Sequence, residues 1–325
     1  MSEKLLEVKN LKVYYPVKLK SSVVNKKAYV KAVNDISFDI YKGETFGLVG
    51  ESGCGKSTTG KTIVKLNKPT EGEILFEGKN IFETKDKKIC KEIEIIFQDP
   101  YSSLDPRYTV ERIIEEPMLV GDKLPKKERK AKVRELMSEV GLREDQATKF
   151  PHEFSGGQRQ RIGIARALAS DPKLIVCDEP VSALDVSIQA QVLNMMHDLQ
   201  KTHGLTYLFI SHNLSVIKHV CDRIAVMYLG NIVEMADKNE LFDNPCHPYT
   251  KALMSAIPIP NPDYVSNQEV LSGEVPSPLN PPKGCCFSTR CPKACEKCKM
   301  EKPVLRKVKD GHMVACHLLE EDKND

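Results

Sequence analysis

GESGCGKST, Gly50 to Thr58, follows the apolar run Thr45 to Val49 and precedes a segment able to begin a helix. Gly50, Gly55, Lys56 and Ser57 fill the template G-x-x-x-x-G-K-S/T, with Gly53 as a further glycine. Glycines let the backbone curl until successive N–H groups point at phosphate oxygens, and the following helix adds the positive end of its dipole. The whole stretch, including Glu51, Ser52, Cys54 and Thr58, therefore reads as a phosphate cradle. In it Lys56 reaches the β and γ oxygens and Ser57 ligates Mg²⁺. A chance glycine-rich turn would not need a strand before it and a helix after it.

Working outward from this loop, Leu6 to Lys9 and Leu11 to Tyr14 alternate as half-buried strands do, and Tyr14-Tyr15-Pro16 ends the run. Tyr15 is either a strand-end aromatic or a ring for an adenine to stack on. Lys18 to Lys27 reads as a surface loop before strands at Val30 to Val33 and Ile36 to Ile40. After the cradle come strands at Gly72 to Phe76 and at Glu94 to Phe97, the latter ending at Gln98. From about Tyr101 to Lys149 charged, helix-periodic sequence such as Lys126 to Val140, closed by Gly141, marks an inserted helical subdomain.

Ser155, Gly156, Gly157 and Gln158 precede another helix; alone they are either a plain N-cap or a second anion-ready helix start. Leu174 to Cys177 is a continuous apolar run, as in a parallel strand buried on both faces, and it delivers Asp178 and Glu179 at its carboxyl end. Open α/β sheets place ligands there. Asp185 precedes an amphipathic helix, Ile188 to His203, and a further buried strand, Tyr207 to Ile210, ends at His212.

Hydrophobic content of 41%, charged content of 29% and a net charge of +3 describe an ordinary globular chain with no particular affinity for nucleic acid. No apolar run approaches the ~20 residues of a membrane span, so a cytosolic chain reaching the membrane through partners is expected. Pro258 to Pro282 holds seven prolines and reads as an extended arm; Glu320 to Asp325 is a charged end. Beyond the arm lies a tail carrying six of the eleven cysteines, between Cys285 and Cys316. In a reducing compartment such clustering points to metal more than to bridges. So short and polar a tail is expected to offer its thiols little apolar core to enter.

The ordered set of phosphate loop, Gln98, Ser155 stretch, Asp178-Glu179, Asp185 and His212 resembles the ATP-binding subunit of an ABC transporter. FQDPYSSLDPR (Phe97 to Arg107), HPYTKAL (His247 to Leu253) and a tail ending VACHL are similar to the ATPases of oligopeptide and dipeptide importers, and CDEPVSALDVSIQAQ (Cys177 to Gln191) is similar to the F-type member of their paired D and F subunits. The resemblance implies an ABC-type α/β fold: a RecA-like core, an antiparallel β subdomain and a helical subdomain over about 99–165. This ATPase domain would span 1–257, and the arm and Cys-rich extension 258–325.

Carried over position by position, Tyr15 is the adenine-stacking aromatic, Asp178 joins Ser57 and Gln98 around Mg²⁺, and Glu179 polarises the attacking water. His212 contacts the γ-phosphate, and Gln98 senses the metal while touching the membrane subunits. Ser155 to Gln158, with Asp185 nearby, caps ATP bound on a sister D-type ATPase in a head-to-tail heterodimer. Two permease subunits and, indirectly, an extracytoplasmic solute-binding protein complete the expected assembly at the cytoplasmic face of the membrane, with no nucleic acid.

Nickel and glutathione importers share much of this pattern, and a soluble ABC ATPase acting on nucleic acid is a different class, disfavoured by a short helical insert and the lack of a basic stripe. For the tail the resemblance points to Cys285, Cys291, Cys298 and Cys316, spaced by five, six and seventeen residues. Those spacings lack paired C-x-x-C knuckles, which favours a 4Fe–4S cluster over Zn²⁺, with Cys286 and Cys295 as extra thiols.

Overall fold

The computed structural model describes residues 3–18, 27–84, 89–120, 124–257 and 273–319, and they build two sheets. In the first, β1 (Lys4–Lys18) pairs antiparallel with β2 (Lys27–Tyr41) and β4 (Glu71–Phe76), with β5 (Lys79–Asn80) on the outer edge. The two apolar runs flanking Asn10 are a single strand: Asn10, at φ 48, forms a bulge with a register shift between Val8 and Leu11. The extra residue lets Leu6, Val8, Leu11 and Val13 all face the core although their spacing changes. Nor does Tyr14-Tyr15-Pro16 end the strand, because Pro16 pairs with Tyr29. β4 accompanies β1 only up to Lys12, so no second ladder requires an N–H from Pro16.

The second sheet has a parallel heart in the order β6 (Ile93–Ile96), β7 (Leu174–Asp178), β8 (Thr206–Ser211), β3 (Thr45–Val49), β9 (Arg223–Tyr228). β3, β7 and β8 are buried at every residue, as their unbroken apolar sequence requires of strands covered on both faces. One face, through Phe46, Leu48, Val176, Leu208 and Ile210, packs against Leu6, Val8, Phe38 and Ile40 of the first sheet.

The helices are α1 (Lys56–Ile63), α2 (Ile89–Glu92), α3 (Val110–Val120), α4 (Lys126–Glu139), α5 (Gly156–Leu168), α6 (Val186–His203), α7 (Leu214–Val220), α8 (Lys238–Asp243), α9 (Pro248–Ser255) and α10 (Glu296–Met300). α3, α4 and α5 pack on one another through Ile113, Ile114, Val133, Leu136, Met137 and Ile162. Among the described residues no helix is long and apolar enough to cross a membrane.

The tail is where expectation and structure part. β10 (Asn231–Asp237) runs antiparallel to β9, and β12 (His312–Val314), followed by β11 (Arg306–Lys309), extends the same sheet beyond it. Cys285, Cys298 and the fully buried Phe287 belong to the core of the α/β sheet. The thiols thus do have apolar surroundings, because the tail borrows the core of the larger body instead of building its own. The Lys31 N–H bonds the Pro278 carbonyl at 3.0 Å, seating the described end of the arm on β2. Most of the expected loop between Lys18 and Lys27, the arm over 258–272 and the charged end at 320–325 lie outside the described residues.

Candidate active site

Four neighbouring parallel strands, β3, β8, β7 and β6, release their chains at the carboxyl end of the sheet, and every candidate catalytic side chain leaves from there. The loop after β3 turns at Gly50 (φ 151) and Gly55 (φ 108), where an added Cβ would meet the carbonyl oxygens of Met227 and Ala32 at 2.1 Å. Only glycine fits either place. Lys56, 4% exposed, is folded back so that its Nζ donates to the Gly50 and Glu51 carbonyls at 2.7 and 3.0 Å. Among the described residues it has no carboxylate partner, so this buried amine faces only the two carbonyl dipoles and the Cys54 thiol at 3.7 Å.

Ser57 Oγ donates to Asp178 Oδ1 at 2.6 Å. A hydroxyl and a buried carboxylate, set where phosphates would lie, are the hard oxygen donors that Mg²⁺ selects, so these residues fit that ion. Glu179 follows with φ 50, a left-handed conformation costly for a side chain of its size, held by its N–H bond to Ile210 O at 3.0 Å. Its carboxylate is gripped from both sides: Gln98 Nε2 donates to Oε2 at 2.8 Å, and His212 Nδ1 lies 3.0 Å from Oε1. A cleft of about 400 Å³ joins Ser52, Gly53, Lys56, Ser57, Thr58, Gln98, Glu179 and His212. Ala32 of β2 also lines it, a contribution from the antiparallel sheet that no local motif signals.

Other expected residues do not line this cleft. Ser155 is exposed and caps α5, its Oγ accepting from the Gln158 N–H while Gln158 Oε1 accepts from the Ser155 N–H. Gly157 faces the start of α6, where a Cβ would meet Ile188 at 2.5 Å, and Gly156 has Leu184 beside it. The Asp185 carboxylate caps α6 and accepts from Ser187 Oγ at 2.7 Å, bonds that hold its pKa below the usual range. Tyr15 lies on β1 opposite Val30, two residues from Ala32 in the partner strand, and is exposed.

A family profile described as ABC transporter matches residues 33–182, and one described as the C-terminal region of oligopeptide/dipeptide transporters matches residues 233–298. The oligopeptide transport ATP-binding protein AppF of Bacillus subtilis (strain 168) is 53% identical over 323 residues, covering 97% of this chain and 98% of that protein. The chain belongs to the ABC transporter ATP-binding proteins. The dipeptide transport ATP-binding protein DppF of Escherichia coli (strain K12) is 46% identical over 327 residues, covering 100% and 97%. Among solved structures, cbiO1 of Clostridium perfringens, part of the ABC transporter complex cbiONQ, matches with a TM-score of 0.63 at 28% identity, over 74% of this chain and 92% of that one. A dimeric post-hydrolysis state of the ATP-binding cassette MJ0796, bound to ADP and Pi, matches with a TM-score of 0.62 at 28% identity, over 72% and 99%.

In this ABC ATPase the tail cysteines lie near one another. Burial, and the nearby Cys285, Cys291 and Cys298, push the Cys316 thiol up to about 11. The Cys286 thiol, with His247 beside it, holds the Cys285 thiol well below its ordinary value. Cys295 and Cys298 sulfurs are 3.5 Å apart. Zn²⁺ at 2.3 Å from each of four thiolates needs sulfurs about 3.8 Å apart. Among the described residues no three thiols lie within 4.8 Å of one another.

One group of potential ligands that sequence reasoning missed does come together: Glu234, Cys246 and His312. Its donors are already used. Glu234, fully buried, accepts from the Cys246 and His247 N–H groups at 2.7 and 2.9 Å and lies 2.7 Å from His312 Nε2. His312 Nδ1 in turn faces Glu240 at 3.5 Å. The bond to Glu234, only partly offset by burial, raises the His312 pKa, with Glu240 adding to the rise. This is a charge-assisted tie fastening the terminal hairpin to β10.

Proposed function

We propose that this chain hydrolyses ATP to power the import of oligopeptides or dipeptides through partner membrane subunits, as a peripheral protein at the cytoplasmic face of the membrane. The observation that carries the reading is the placement of Glu179, gripped by Gln98 and His212, across one cleft from Lys56 and the Ser57–Asp178 pair. The names of the relatives, oligopeptide and dipeptide transport ATP-binding proteins, supply the substrate class.

In this reading, Lys56 gives up its two carbonyls for β- and γ-phosphate oxygens, and the amides from Glu51 to Thr58 with the start of α1 cradle the rest. Ser57 and Asp178 would hold Mg²⁺, with Gln98 at its edge, and the ion would neutralise phosphate charge. Glu179 orients the water and takes its proton, while Gln98 and His212 fix the carboxylate and His212 meets the γ-phosphate. Tyr15 stacks on adenine. Ser155 to Gln158, exposed outside the cleft, cap ATP on a D-type sister subunit, and Asp185 lies at that junction. Hydrolysis then requires closure of two chains, which couples it to motion in the permeases. Residues 1–257 act as the ATPase and 258–325 as the arm and tail.

Cys285, Cys291, Cys298 and Cys316 would hold a 4Fe–4S cluster that fastens the tail, with Zn²⁺ as the runner-up. Two experiments test these readings. The chain captured with its permeases in detergent should show ATPase activity stimulated by a peptide-loaded binding protein; peptide-independent activity with no membrane partner overturns import. Anaerobic purification should give a brown protein absorbing near ~400 nm with equal iron and sulfide. A colourless preparation with one zinc per chain overturns the cluster.

A further inference from the structure

The phosphate loop is held from beneath by the cysteine-rich tail. Glu51, the second residue of the loop, accepts both ends of the Arg290 guanidinium, Nη1 to Oε2 at 2.8 Å and Nη2 to Oε1 at 3.2 Å. Its N–H donates to Tyr249 Oη at 2.9 Å. Arg290 is 9% exposed, with Nη1 3.5 Å from Tyr228 Oη. Its Nε is buried without a hydrogen-bond partner among the described residues.

Burying an arginine with one N–H unmatched is costly, so the ion pair must offset it. Burial works against the charge, yet the bonds to Glu51 and Tyr228 keep its pKa above the ordinary arginine value. The backbone around Arg290 is fixed as well: the Arg290 and Cys291 N–H groups both bond to Phe287 O at 3.0 Å. Phe287 is a fully buried plug against Tyr228 and Tyr249, with ring centroids 5.2 and 5.4 Å away. Thus the backbone carrying Arg290 is anchored independently of the phosphate loop.

The connection runs on to the chemistry. Lys56 donates to the carbonyl of this same Glu51, the bond it must exchange for phosphate oxygens. We propose that Arg290 is a positioning residue for the phosphate loop: the tail sets the loop's shape and neutralises Glu51, so the affinity for ATP depends on a side chain 239 positions away in sequence. This rests on the reading of Gly50 to Thr58 as the ATP site. Two effects act together. Without Arg290 the loop loses its bidentate anchor, and a bare Glu51 carboxylate is left beside the site of an anionic ligand.

The test is equilibrium binding of ribose-labelled fluorescent ATP with Mg²⁺ to the full-length chain, alongside tail metal content and thermal midpoint. Arg290→Ala should weaken binding about tenfold or more. Arg290→Lys, which keeps charge without the fork, should fall between it and wild type. Arg290→Ala combined with Glu51→Gln should recover most of the affinity, because the uncompensated carboxylate is gone. Wild-type affinity in both Arg290 variants overturns the proposal. So does weakened binding that Glu51→Gln cannot relieve and that tracks loss of tail metal or a lower midpoint, since Arg290 would then only support the fold. If Arg290→Ala does not fold, Arg290→Lys with and without Glu51→Gln decides by the same comparison. A Lys56→Ala chain that binds ATP like wild type would instead refute the ATP-site reading itself.

Discussion

Gln98 Nε2 donates to Glu179 Oε2 at 2.8 Å, linking the strand end that leads into the helical subdomain to the carboxylate proposed as the base. With His212 3.0 Å away on the other oxygen, both lobes of that carboxylate are engaged. Each oxygen keeps a second lone pair able to take a proton from water, so Gln98 and His212 position the base without blocking it. Gln98→Ala should therefore leave ATP affinity within about threefold of wild type and lower turnover roughly tenfold in the assembled pair. Single-turnover kinetics beside equilibrium binding checks this; an equal drop in both would assign Gln98 to binding.

Glu179→Gln keeps every phosphate contact, so ATP should bind normally while turnover falls by at least ~10²-fold. Lys56→Ala should lose the nucleotide instead. Equal loss of binding in both variants would show that Glu179 has been misassigned.

An isolated chain should hydrolyse ATP slowly, because Ser155 is exposed on the start of α5 and does not line the cleft beside Lys56. Adding the sister ATPase should raise the rate per site and make it concentration-dependent. Steady-state turnover against concentration reads this directly, and a monomer as active as the complete assembly would sink the composite site.

The His312–Glu234 tie predicts a pH dependence of stability. The folded pKa of His312 is raised above its unfolded value of about 6.5. Its contribution is therefore fully present below that value and fades as pH rises through the folded pKa. Breaking a buried pair leaves Glu234 without its partner, so His312→Gln should cost about 3–5 kcal/mol near pH ~6, and less near pH ~9. Thermal midpoints of both proteins across that range check it; a constant gap would mean that His312 contributes no charge.

What the sequence determined by itself is what short segments encode. The glycine spacing of Gly50 to Gly55 allows a curled loop, since φ of 151 and 108 are angles that glycine adopts readily and other residues do not. The continuous apolar run Leu174 to Cys177 dictates a strand covered on both faces, and so places Asp178 and Glu179 at its carboxyl end. Chemistry tied to a strand end travels with the strand, which is why Lys56, Ser57, Gln98, Asp178, Glu179 and His212, nominated from sequence, come together at one end of the sheet.

Tertiary structure alone decided the pairings between distant segments. Nothing near Arg290 marks it as the partner of Glu51, and nothing in Arg306 to Val314 signals a hairpin added to the main sheet. Those contacts exist because Phe287 and the tail thiols find apolar burial against the larger body, which brings Arg290 and His312 to carboxylates that would be costly to bury alone. Burial of that kind depends on which surfaces the chain brings together, and residue order along the chain does not state it.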